Sequence, residues 1–205
     1  MTSAAQPLLA ELDTAFSQAS QTWRATALRQ IADLFVASAA LYSAEQVALF
    51  DDVICRLIPK MDRAALAELS NKLAPVDNAP VKAIGSLARN ADLAVAGPIL
   101  EFASALPDED LIAIAGRIDL KLLPKIAART ALSEAVTDIL LERGNAAIKR
   151  QLIDNPNARM SETGFARMVS GINGDKELAT ALAARQDVPG ELRVWLDAVL
   201  NPKQA

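Results

Sequence analysis

Histidine is missing from the 205-residue chain, and cysteine occurs once, at position 55. The missing histidine removes the commonest general base, the usual metal ligand and the side chain that titrates near neutral pH. A single cysteine excludes an internal disulfide, and Cys55 has no histidine to activate it, so we interpret it as a small core thiol. We therefore predict a protein that is not an enzyme and holds no cofactor or metal. A lone thiol also fits a cytoplasmic protein.

A basic bias and a long apolar run are also missing. Residues 1–100 carry 8 basic and 10 acidic side chains, residues 101–205 carry 13 and 15, and the net charge is -4. Proteins that bind nucleic acids usually show a basic excess, so we expect no nucleic-acid partner. No apolar run approaches the roughly 20 residues of a membrane span, and no basic residue precedes the first apolar stretch, so we predict neither a span nor a Sec signal peptide.

Aromatic residues make up only 4% of the chain, and the remaining apolar residues follow a helical pattern. Alanine and leucine, both good helix formers, recur at spacings of three and four. Thirteen helices are predicted, over residues 5–18, 22–40, 44–58, 62–74, 80–89, 92–105, 108–116, 119–129, 133–143, 145–154, 161–171, 175–185 and 189–200.

Residues that punctuate these segments favour the same interpretation. Ser43 and Gln46 have the spacing of a capping box, and Asp62 is typical of a helix N-cap. Gly144 stands where a left-handed residue would end a helix. Pro124 falls within a periodic run, which predicts a kink.

A sequence echo with a period of 40 residues indicates repeats. Residues 87–91 (Leu-Ala-Arg-Asn-Ala) correspond to residues 127–131 (Ala-Ala-Arg-Thr-Ala), and residues 183–187 form a looser third copy. This period is typical of two-helix solenoid units. The predicted fold is an all-α, HEAT-like α-solenoid of stacked antiparallel helix pairs with about 11–13 helices, as one domain over residues 1–205 with a helical cap over residues 1–40.

A shorter unit lies between the second and third copies. It begins at Arg143-Gly144-Asn145 and reaches Asn155-Pro156, where the proline forces a turn. Together with residues 32–35, 48–53, 68–74, 95–100 and 136–140, this unit resembles the bacterial family known as domain of unknown function 2336. The resemblance spans roughly residues 25–190. It implies a HEAT-like helical array and no activity, and the histidine common before the family's Ala-Ile-Ala-x-Arg motif is absent from residues 119–129.

Six residues are candidates for partner binding. Arg89, Arg129 and Arg185 recur at equivalent positions, so they either hydrogen-bond the carboxyl-end carbonyls of a neighbouring repeat or form a ladder that grips carboxylates. Arg143 and Arg159 belong to a mildly basic window over residues 142–167, which is either a solvated face or an anionic-partner contact. Asn155 lies at the Asn-Pro turn and completes the set.

Acidic residues are interpreted as structural or as surface groups. The cluster over residues 108–110 opens a helix, where carboxylates favour the helix dipole. Asp51 and Asp52 lie within a helix and point about 100° apart, which predicts surface and partner contacts.

The sequence thus predicts a non-catalytic scaffold that binds a protein or peptide through its helical repeats. The alternative is a small-molecule sensor, or a carboxylate- and arginine-based enzyme, with a pocket between repeats.

Overall fold

Helices dominate the computed structural model, which describes residue 14, residues 18–172 and residues 175–201. Within these residues the only β-type pairing is one isolated parallel bridge between Leu132 and Ala158. The predicted all-α class is confirmed. The predicted helix over residues 5–18 lies almost wholly outside the described residues. The described helices are α1 (Gln21–Ser38), α2 (Ala44–Leu57), α3 (Arg63–Leu73), α4 (Val81–Ala88), α5 (Leu93–Phe102), α6 (Asp108–Ala115), α7 (Leu123–Ala127), α8 (Glu134–Arg143), α9 (Ala146–Asp154), α10 (Glu162–Ser170), α11 (Lys176–Ala183) and α12 (Gly190–Leu200).

Side-chain caps fix where most of these helices begin. The predicted capping box opens α2: the Gln46 backbone N–H donates to Ser43 Oγ over 3.4 Å, and the Ser43 N–H donates to Gln46 Oε1 over 2.9 Å. Asp62 accepts the Ala65 N–H over 2.9 Å at the start of α3. Each cap satisfies a backbone donor that has no partner inside its helix.

Gly144 and Pro124 differ from their predicted roles. Gly144 has an extended backbone (φ −75°, ψ 149°), so it is not a left-handed cap. Its lack of a side chain matters because a Cβ there would lie 2.4 Å from the Leu140 carbonyl oxygen. Pro124 lies in the first turn of the short helix α7, after a 3₁₀ turn over Leu120–Leu122, so it begins a helix rather than kinking one.

The chain divides into two compact units, residues 1–107 and residues 108–205. In the first unit α1, α3 and α5 pack in one row, and α2 packs on α4 in another. Phe35, Tyr42 and Phe50 form an aromatic cluster with ring centroids 5.1–5.8 Å apart. The largest fully buried side chains of this unit are Phe35, Leu28, Ile54, Leu69, Leu73, Ile84, Leu87, Ile99 and Leu100.

The second unit repeats this alternation. Helices α6, α8 and α10 pack in one row, α7, α9 and α11 pack in the other, and α12 packs on α11. Fully buried leucines and isoleucines such as Leu123, Ile126, Leu140 and Leu152 fill its interior. Packing of every second helix is the local arrangement expected of stacked helix pairs. One continuous array over residues 1–205, capped by residues 1–40, stays a prediction.

Candidate functional site

Among the six predicted binding residues, Arg185 donates hydrogen bonds through all three nitrogens of its guanidinium. It follows α11 and is buried. Its Nη1 donates to the carbonyl oxygens of Leu152, Ile153 and Asn155 over 3.1, 3.2 and 2.7 Å, and its Nη2 donates to that of Ala158 over 2.7 Å. Asp187 accepts two further hydrogen bonds of 2.8 and 2.6 Å. The guanidinium thus satisfies carbonyls at the carboxyl end of α9, where a helix leaves acceptors unpaired.

Arg143 makes the same kind of contact in the other row of the second unit. Its Nη1 donates to the carbonyl oxygens of Ala115, the last residue of α6, and of Ile118, the latter over 3.1 Å. The last turn of α8 is thereby attached to the carboxyl end of α6. The neighbouring-carbonyl interpretation, raised for the repeated arginines, applies to this arginine as well.

Asn155 continues the pattern with an amide. Its Nδ2 donates to the carbonyl oxygen of Arg129 over 2.8 Å, beyond the carboxyl end of α7. The backbone carbonyl oxygen of Asn155 accepts a hydrogen bond from the Arg185 side chain. The backbone carbonyl oxygen of Arg185 in turn accepts one from Arg193 Nη2 over 3.1 Å. Successive helix ends of one row are therefore joined through side-chain donors. We call this set, Asn155, Arg185 and Arg193, the helix-end chain.

Arg129 and Arg89, which stand at matching sequence positions, differ from each other in burial. Arg129 is buried, and its burial lowers the pKa of the guanidinium, an effect that the Asp108 carboxylate partly offsets. Arg89 is exposed and donates over 2.7 Å to the carbonyl oxygen of Gly85 in its own helix. Arg129 and Arg185 are buried and Arg89 is exposed, so the three equivalent positions do not share one level of burial.

Arg159 is the most exposed of the four arginines in the basic window over residues 142–167. Its guanidinium forms an ion pair with Glu134 over 3.3 Å, and three quarters of its side chain is exposed. The Arg159 backbone N–H donates to the Leu132 carbonyl oxygen over 3.0 Å, and the Leu132 N–H donates to the Asn157 carbonyl oxygen over 3.2 Å, which fixes the turn without using the charge. Arg159 is therefore placed where a partner could reach it.

Asp51 and Asp52 lie at the middle of α2, and the predicted surface position is wrong for Asp51. Asp51 is 5% exposed rather than on the surface. Its oxygens accept the backbone N–H groups of Lys82 and Ala83 over 3.0 and 2.8 Å, at the start of α4. The residue before α4 is Pro80, which has no capping side chain, so α2 supplies the cap instead. Asp52 forms a 3.2 Å ion pair with Lys82.

Cys55 lies one turn after Asp51 and is partly buried. Its Sγ lies 3.6 Å from Asp51 Oδ1. Burial, followed by the charge of Asp51, raises the pKa of the thiol to about 11. A thiol with this pKa carries almost no thiolate at neutral pH. The intermediate exposure of Cys55 differs from the predicted core position.

Among the described residues, no group of three or more histidine, cysteine, aspartate or glutamate side chains is placed to hold a metal ion. The acidic cluster over residues 108–110 occupies the first turn of α6, as predicted.

None of the described helices combines the length and apolar character needed to cross a bilayer.

A groove that sequence reasoning missed lies in the second unit. It is an open groove of about 650 Å³ between α10 and α12, and we call it the α10–α12 groove. Trp195, which is 40% exposed, forms part of its wall. The residues that line it are Glu162, Ala166, Val169, Pro189, Gly190, Glu191, Leu192 and Trp195. The spacing of Leu192, Trp195 and Leu196 on α12 indicated apolar character, but only the packing separates buried Leu196 from exposed Trp195.

Fold and site together define an all-α protein whose packed helices are joined at their ends by polar side chains. The chain belongs to the bacterial family DUF2336, described as "uncharacterised protein conserved in bacteria", whose family model matches residues 95–203. The predicted membership is confirmed, although the quoted motifs before residue 95 lie outside the match. No curated protein and no solved structure matches the chain.

Proposed function

We propose that this chain is a non-catalytic, HEAT-like helical-repeat scaffold of the bacterial cytoplasm that binds a protein or peptide partner. The observation that carries the proposal is the α10–α12 groove, where a large aromatic side chain remains accessible beside apolar neighbours. Tryptophan is among the side chains that contribute most to protein interfaces, because its area is large and its ring is rigid.

The use of the predicted polar residues supports a scaffold over a reactive pocket. Arg143, Asn155 and Arg185 donate to backbone carbonyls of neighbouring segments, so their hydrogen-bonding capacity serves helix packing. Other accessible apolar side chains, including Leu41 at 85% and Phe102 at 59% exposure, occur in the first unit. Each of them is a candidate contact for a partner, independent of the groove.

Photo-crosslinking of the full chain in its bacterial host tests the proposal. A photoreactive amino acid replaces Ala166 in the groove, Leu41 in the first unit or Arg150 on a charged surface. We expect a discrete protein adduct from Ala166 or Leu41 and none from Arg150, and the adduct should be reproduced with the purified partner. Complete incorporation without any protein adduct from the two apolar positions would contradict the scaffold proposal.

A further inference from the structure

We infer that the α10–α12 groove receives an amphipathic helix whose flanks carry lysine or arginine. The inference rests on the proposed function and names the chemistry of the partner. It depends on three features of the second unit: the packing of its helices, the apolar floor of the groove and the sign of the charge at the rim.

Helix packing leaves room beside α10. Helices α6, α8 and α10 follow one another in a row. Helix α12 packs on α11, and α11 belongs to the other row. Within the described residues α10 is therefore the last member of its row, and the groove opens between it and α12. Because helices pack side by side at 8–10 Å, an additional helix is the natural occupant of such a space.

The floor of the groove offers complementary shapes. Ala166 and Val169 lie one turn apart on α10, and Leu192 and Trp195 lie one turn apart on α12. Small and large apolar side chains of the two helices therefore line the same groove, which suits an apolar residue of the occupant. Helices that bind in grooves present apolar anchors at spacings of three, four and seven residues.

Two carboxylates line the groove, and the one basic residue of each flanking helix contacts a different segment. Glu162 and Glu191 line the groove. Arg167 contacts Glu142 on α8 over 3.4 Å, and Arg193 donates to the carbonyl oxygen of Arg185 over 3.1 Å. The two glutamates lie in the first turns of their helices, where they also favour the helix dipole. Opposite charge on the partner follows from electrostatic complementarity.

Peptide titration tests the inference on the full chain. The variant Trp23→Phe leaves Trp195 as the sole tryptophan, so its emission reports on the groove. The probes are two helical peptides with the same leucine–alanine apolar face, one flanked by lysines and one by glutamates. We expect a blue shift of Trp195 emission with the lysine peptide, and affinity at least about tenfold above that for the glutamate peptide at low salt. The preference should shrink as salt rises.

Charge-reversal variants provide matched controls. Glu162→Lys combined with Glu191→Lys should reverse the preference between the two peptides. Glu109→Lys combined with Glu177→Lys makes the same change in net charge at first-turn acids of α6 and α11, and should leave the preference intact.

Three results would overturn the inference. The first is equal affinity for both peptides, and the second is an unchanged Trp195 emission at saturating peptide. The third is a dimer in analytical ultracentrifugation that dissociates on Trp195→Ala, because a second copy would then be the occupant. A protein adduct at Leu41 without peptide binding in the groove would refute this inference and leave the scaffold proposal standing.

Discussion

The guanidinium of Arg185 serves the backbone of its own unit. It contacts four carbonyl oxygens and the Asp187 carboxylate, and only 5% of its side chain is exposed. A buried carbonyl oxygen that loses its hydrogen-bond donor destabilises the fold by about 1–3 kcal/mol, because no water replaces the donor. Cationic donors satisfy such clusters well, because one arginine offers five N–H groups in a fixed plane.

Replacing Arg185 with methionine should therefore destabilise the protein strongly. We expect a loss of about 2–4 kcal/mol in the free energy of unfolding, measured by urea denaturation followed by circular dichroism. The control is Arg150→Met, which removes an exposed arginine paired with Asp154 one turn away and should cost below about 0.5 kcal/mol. Similar losses in the two variants would show that the helix-end chain contributes little.

The thiol of Cys55 gives a prediction about reactivity. With its pKa raised to about 11 by burial and by Asp51, its thiolate fraction at pH 8 is roughly a hundredfold below that of an ordinary thiol. We expect native protein to react with a thiol-specific reagent roughly a hundredfold more slowly than urea-unfolded protein, at a rate that still rises between pH 9 and pH 10. A rate that levels off by pH 9 would disprove the raised pKa.

At the scale of elements, helix starts were predictable and their long-range partners were not. Ser43, Asp62 and Ser133 cap helices that begin within a residue or two of the predicted positions, because a cap acts on a backbone group two or three residues away. The capping of α4 by Asp51 joins residues more than 30 positions apart. No local pattern carries that information, and the same limit applies to the exposure of Trp195.

The contact between α2 and α4 predicts unequal effects of two adjacent acids. Asp51→Asn should lower the free energy of unfolding by about 1–3 kcal/mol, because it weakens a buried charge-assisted cap. Asp52→Asn breaks only the partly exposed ion pair with Lys82, and should cost below about 1 kcal/mol. Urea denaturation of both variants measures the difference, and an equal or reversed order would contradict the assigned cap.

The contact between α1 and α3 predicts a pH dependence. Arg29 donates to both oxygens of Glu68 over 2.6 and 2.7 Å, and this contact is the main cause that lowers the pKa of Glu68 from 4.5 to about 2. A carboxylate with a lowered folded-state pKa stabilises the fold fully above its unfolded pKa. That contribution is lost as the pH falls from about 4.5 towards 2.

A double-mutant cycle with Arg29→Gln and Glu68→Gln isolates this pair. Because both side chains are substantially exposed, solvent screening keeps the expected coupling near 0.5–1 kcal/mol at pH 7, well below the value that the pKa shift alone would give. The coupling should decline between pH 4.5 and pH 2.5 in urea titrations at each pH. A coupling that stays constant across this range would refute the lowered pKa.

At the scale of the whole molecule, net charge is the property that follows most directly from the amino-acid composition. The net charge is -4, and both halves of the sequence have a small acidic excess. Several cations that could have faced a phosphate backbone are engaged within the fold, including Arg143 with carbonyl oxygens and Arg167 with Glu142. The exposed Arg159 also has an acidic neighbour, Glu134.

We therefore expect no retention of nucleic acid by the full chain. Sequence-independent binding depends on the release of counterions from phosphates by clustered lysine and arginine, and each phosphate contact steepens its salt dependence. Fluorescence anisotropy with labelled single-stranded and double-stranded DNA should show no change at physiological ionic strength. The Glu162→Lys, Glu191→Lys double variant locates any residual effect: weak binding that appears only after this reversal would identify the acidic rim of the groove as the barrier. Binding by the unmodified chain that weakens linearly on a logarithmic salt axis would overturn the expectation and make nucleic acid a partner class.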